Sequence, residues 1–207
     1  MIGRLSRHRA PVALSLCALL LASVILIPGG IAARAHATTA TNSATVFVVD
    51  GTPISLNAWQ ADVENAQRLA PAGTTLASIR AQLYRNRVEA IAALHEAQRE
   101  GLTVSDSELD AFVANLQTDY AAMPDSASVI EIEASQRGVS PDQFWTAIRP
   151  ELSQMLLVLK LRAHYVAGLG AVTHDQAAQQ WDAYRVGLAS RATVQVTDAT
   201  AVTGSDQ

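Results

Sequence analysis

The sequence predicts a mainly α-helical domain carrying a small β element. Three observations predict it. Apolar residues recur at helical spacing over most of the chain beyond residue 55. Aromatic residues make up only 5% of the chain, and alanine and leucine supply much of its 49% hydrophobic content, which favours helix packing over a β-sandwich. Short strand-like segments sit at the two ends of this helical body, Val46–Val49 and Ala192–Val196.

The chain opens on a targeting segment. Arg4, Arg7 and Arg9 precede an uncharged run from Val12 to Ile27, which Pro28-Gly29-Gly30 ends. Ala35-His36-Ala37 then supplies a small-x-small pattern that places a cleavage site between Ala37 and Thr38. Residues 1–37 therefore read as a secretory signal, with an uncleaved membrane anchor as the alternative. Both readings put the body of the protein outside the cytoplasm. Cys17 lies inside the apolar run behind the large Leu16, so it reads as a member of that run and not as a lipid-attachment site. Cleavage leaves no cysteine, hence no disulfide framework and no thiol chemistry.

Residues 38–44 read as a polar linker. Val46–Val49 then forms a strand, Asp50-Gly51 a tight hairpin turn, and Pro53 confines the second strand to a sheet edge. Ser55 or Asn57 caps a first helix that runs to Ala70 and stops at Pro71. A second helix spans about 74–100 with Leu76, Ile79, Leu83, Val88, Ile91 and Leu94 on one stripe, and Gly101-Leu102 closes it. Ser105-Asp106-Ser107-Glu108 is a capping box for a third helix that buries Leu109, Phe112, Val113 and Leu116 and is interrupted by Pro124. A shorter helix covers about 126–137 and ends at Gly138.

Ser140-Pro141-Asp142-Gln143 starts the next helix, which Pro150 kinks or splits just before Glu151. Thr173-x-x-Gln176 opens the last helix through Trp181 and Tyr184. A lone hairpin is marginal in water, so Thr193–Thr197 is expected to pair with it as a third strand. The domain thus spans residues 45–197, and the polar residues 198–207 read as a disordered tail.

Charge and motifs exclude several functions. The chain carries −4 overall, and the first 37 residues hold four arginines and no acid, so residues 38–207 carry −8. An acidic surface argues against nucleic acid and anionic lipid as partners. His95, His164 and His174 have no second ligand at metal-binding spacing. Glu131 and Glu133 diverge on a helix, and Asp106, Glu108 and Asp110 complement a helix dipole. Ser55, Ser105 and Ser140 are caps without a nucleophile elbow, and no phosphate loop or dinucleotide fingerprint is present. No catalytic, metal or cofactor site is predicted. Phe144, Trp145, Met155 and Leu156 read first as a core stripe and second as the wall of a polypeptide-binding groove.

Four segments together, VVDGTPISLNAW, REGLTVSDSELDAFV, RGVSPDQFWTAI and VTHDQAAQQWDAY, resemble the N-terminal chaperone domain of SurA-type and PrsA-type extracytoplasmic foldases over residues 46–197. The resemblance implies a helical domain that binds unfolded or newly exported polypeptides without a cofactor. Many relatives continue into a parvulin-type prolyl isomerase domain, for which the residues after Tyr184 leave no room. The expected function is therefore a non-catalytic holdase. The alternatives are a membrane-tethered module for one partner and an isomerase-related foldase.

Overall fold

The computed structural model describes residues 44–203. The signal, the Ala37–Thr38 cleavage site, most of the linker and residues 204–207 lie outside them. The described residues form eight α-helices and one three-stranded antiparallel sheet.

β1 (Thr45–Val49) and β2 (Thr52–Ser55) form the expected hairpin. Its turn takes φ +47° at Asp50 and +81° at Gly51, the two positive values that an Asp-Gly turn supplies at least cost. Pro53 faces Val48 on the outer strand, where its missing N–H disrupts no further ladder. β3 (Val194–Val196) flanks β1 antiparallel, with Phe47 opposite Val196 and Val49 opposite Val194. It is shorter than expected, but the pairing continues past its ends. The Asp50 N–H donates to the Thr193 carbonyl at 2.9 Å, and the Thr197 N–H to the Val46 carbonyl at 2.8 Å.

The helices follow their signals closely. α1 (Leu56–Leu69) is capped by Ser55, and α2 (Leu76–Arg99) by Thr75. At the end of α2, Gly101 takes φ +71° and the Leu102 N–H reaches back to the Ala97 carbonyl. α3 (Asp106–Ala121) carries the Ser105–Glu108 capping box, and α4 (Ser126–Gln136) follows the Pro124 break. A 3-10 turn at Pro141–Gln143 leads into α5 (Phe144–Ala147) and then α6 (Arg149–Gly168). The helix containing Pro150 does split, two residues earlier than expected. Ile148 leaves the helical region at φ −92°, ψ 0°, which lets Pro150 sit in the first turn of α6, where its ring is tolerated. α7 (His174–Arg191) carries the Thr173–Gln176 box.

The tail expectation needs correction. Ala199–Thr203 forms a further short helix, α8, and its Val202 is buried. Asp198 caps it by accepting from the Ala201 N–H at 2.9 Å, and the Ala201 carbonyl accepts from the indole N–H of Trp59 at 2.8 Å. One apolar side chain and one cap are enough to order a segment that reads as polar by composition.

Three apolar clusters hold the fold. The first joins the sheet, α1, the first two-thirds of α2 and α8 around Phe47, Trp59 and Ile91. Phe47 meets Trp59 and Tyr84 edge-on, with ring centroids 5.4 and 5.1 Å apart. The second packs the rest of α2, through Ala92, Ala93 and Ala97, against Leu161 of α6 and Trp181 and Leu188 of α7. The small alanines let three helices approach closely. The third is a separate lobe of α3, α4, α5 and the first turns of α6, built on Leu109, Val113, Phe144, Ile148 and Leu152. α6 thus begins in the lobe and ends in the main body.

Candidate functional site

The four apolar residues singled out from the sequence do not form one surface. Phe144 is buried in the core of the lobe, so its packed ring presents little surface. Trp145 follows it on α5 and stays half-buried. Its ring sits edge-on to Tyr120 and to Phe144, at centroid distances of 5.4 and 5.3 Å. Met155 covers the lobe core from α6. Leu156 is half-buried and belongs to none of the three clusters.

Trp145 has a second role as a wall. With Val113, Ala114 and Gln117 of α3 and Thr146 of α5 it lines an open groove of about 280 Å³. Asp110 and Arg149 stand at that groove and pair with each other at 2.8 Å. The pair gives it a polar margin, while the indole face and Val113 supply apolar contact. α6 adds a further apolar strip. From Met155 to Leu159 every residue is half-buried, so the helix is apolar around most of its circumference.

Ionic contacts tie the lobe to the body. Lys160 of α6 donates to the Thr103 carbonyl and to Glu108, both at 2.6 Å. Lys160 and the Ser105 cap together hold the Glu108 carboxyl down at about 2. In the body, Tyr184 stacks on Tyr165 at 4.2 Å and donates to Glu96 at 2.9 Å. Burial, with Glu96 beside it, pushes the Tyr184 hydroxyl up to about 12.

Two of the histidines stand near polar groups of neighbouring elements. His95 lies 3.1 Å from the Thr52 hydroxyl through Nε2 and 3.8 Å from Asp50 through Nδ1. This Thr–His–Asp order superficially matches a nucleophilic triad. The Asp–His separation exceeds hydrogen-bond reach, and the other Asp50 oxygen is engaged by the Thr193 N–H at 2.7 Å. The trio fastens the hairpin to α2. His164 stands 4.0 Å from Glu100.

Sequence reasoning missed several exposed apolar side chains, and two places stand out. Leu69 is 68% exposed at the end of α1, and Ile132 is 54% exposed on α4 with Val129 beside it. A signal for the second was present. In SASVIEIEASQ only Ile130 and Ala134 share the inward face at i, i+4, which leaves Val129 and Ile132 pointing elsewhere.

A family model for the SurA-like N-terminal domain matches residues 6–126, more than half of the chain. The chain belongs to the SurA-like N-terminal domain family. Neither the curated proteins nor the solved structures contain a match. Among the described residues, the SurA-like match takes in the hairpin, α1, α2 and α3. It stops where α4 begins, yet Val194, Ala201 and Val202 from beyond it close the first core. Membership in this family suggests a chaperone-type domain that binds polypeptide clients in general. Among the described residues no helix is long and apolar enough to cross a membrane.

Proposed function

We propose that the protein is an extracytoplasmic, non-catalytic chaperone that holds unfolded or newly exported polypeptides. Its membership in the SurA-like N-terminal domain family carries this reading. The half-buried apolar strip of α6 supports it, because shallow apolar surface gives weak and adaptable contacts, and the Trp145 groove adds an indole among polar side chains. Trp145, Met155 and Leu156 are the proposed contact residues. The holding reaction needs no cofactor. Residues 1–37 are proposed to act as the export signal, cut between Ala37 and Thr38, and residues 45–203 as the chaperone unit.

The test is suppression of aggregation. The purified exported protein is added from substoichiometric to excess ratios to several unrelated unfolding proteins. Concentration-dependent protection of most of them is expected. Protection of none, by protein that is helical by circular dichroism, rejects the reading. Catalysis in a peptidyl-prolyl isomerisation assay rejects its non-catalytic part.

A further inference from the structure

The charge of this protein is concentrated in one lobe. Residues 105–151, which make α3, α4, α5 and the start of α6, contain nine acidic side chains and two basic ones. The rest of the described chain, residues 45–104 and 152–203, contains nine of each and is neutral. The lobe therefore carries −7 on a fold that is otherwise balanced. Its two arginines are already engaged within it, Arg137 with Glu151 at 3.1 Å and Arg149 with Asp110 at 2.8 Å, and Lys160 of α6 offsets one further charge by pairing with Glu108 at 2.6 Å.

The same lobe exposes an apolar pair on α4, at whose C-terminal end the Arg68 guanidinium of α1 reaches the Gln136 amide at 3.1 Å. α4 turns Ile130 and Ala134 inward, while Val129 is 37% and Ile132 54% exposed. Asp125 and Glu131, both exposed, stand beside these side chains in sequence, and Glu133 is close enough to Tyr120 to help raise its hydroxyl.

Charge decides which occupant fits. A second copy of this chain would set −7 against −7, and like charges across an interface oppose association. A cationic segment gains attraction, and its apolar side chains cover Val129 and Ile132. We propose that the outer face of α4 docks unfolded polypeptide segments in which apolar residues are flanked by lysine or arginine. This rests on the reading that the protein holds polypeptides, and adds which of them it prefers. The apolar patch is small, so contact is weak and fast, and the field of the lobe supplies the selectivity.

The test uses three unstructured synthetic peptides with the same apolar residues, one strongly cationic, one neutral and one anionic. Their binding to the purified exported protein is read by fluorescence anisotropy. The cationic peptide is expected to bind about tenfold more tightly than the neutral one, with the preference collapsing as ionic strength rises to ~0.5 M and screening shortens. Glu131→Gln combined with Asp125→Asn should reduce the preference. Ile132→Ser, its helicity checked by circular dichroism, should weaken binding of the cationic peptide several-fold. Equal binding of all three peptides overturns this inference and leaves the holdase standing. So does a preference that survives Ile132→Ser, or self-association that Ile132→Ser abolishes, since a second copy then occupies the face. Binding of none, with aggregation still suppressed, also overturns the inference alone. Binding of none without suppression overturns both.

Discussion

The ion pair between Asp62 of α1 and Arg87 of α2 sets two opposing forces against each other. Both side chains are buried, and a hydrogen bond joins Arg87 to Asp62 Oδ2. Asp62 Oδ1 has no hydrogen-bond partner among the described residues. Coulomb attraction lowers the carboxyl and desolvation raises it. Desolvation is the larger, and burial pushes Asp62 from 3.8 up to about 6 in spite of Arg87. The folded protein then holds a proton that the unfolded chain has lost between those two values. The resulting stability is fully present below pH 3.8 and is lost as pH rises through about 6. Carrying the carboxyl from 3.8 to about 6 corresponds to a loss of about 3 kcal/mol of stability. The perturbation is Asp62→Asn, which removes the titration while keeping the size of the side chain. Urea unfolding followed by tryptophan fluorescence gives the stability of both proteins from pH 4 to pH 7. The wild-type protein should lose ~3 kcal/mol relative to the variant over that range, before counting other groups. A difference that is flat, or that moves in favour of the wild type as pH rises, would show that Arg87 outweighs burial, and the reasoning fails.

The remaining predictions concern the core, the caps and the surface. Phe144→Ala should destabilise the protein by about 3–5 kcal/mol in urea unfolding, because it empties the centre of the lobe. Leu156→Ser, outside all three clusters, should cost under about 1.5 kcal/mol yet reduce suppression of aggregation, a split that places it on the working surface. Gly101→Val forces a β-branched residue to φ +71° and should lower stability by at least about 1 kcal/mol, measured by thermal unfolding. Trp59→Phe deletes the donor to the Ala201 carbonyl, should cost ~1–3 kcal/mol, and should speed proteolysis at the C-terminal end as α8 detaches.

Local chemistry made most elements legible. Asp50-Gly51 dictates its turn because few other pairs tolerate two positive φ values, and the boxes at Ser105, Ser140 and Thr173 mark helix starts through side chains that reach only three residues. Pairing of the two chain ends followed from the instability of a lone hairpin. What escaped depends on long-range packing. Phe144 and Trp145 are neighbours with similar apolar character, and only the position of α3 buries one and leaves the other at a groove. Ala199–Thr203 has no local signal beyond the Asp198 cap, and its helix persists because Trp59 and the first core receive it. Nor does sequence reveal that α6 serves two cores, since an evenly apolar helix has no pattern to divide.

The sheet imposes an order on biogenesis. β1 is among the first described segments to be synthesised, yet the strand on its far side is β3, and the Asp50–Thr193 contacts bridge 143 residues. Contacts of such separation form late, after the intervening chain has been made and has closed its loop. Until residue 194 has emerged, Phe47 and Val49 lack one neighbour, and until residue 202 has emerged, the first core lacks Val202. A nascent chain of this protein therefore stays open at its own N-terminal hairpin until residue 194 has emerged, and a product truncated before that point keeps the open edge, as a mark that proteases and chaperones can recognise.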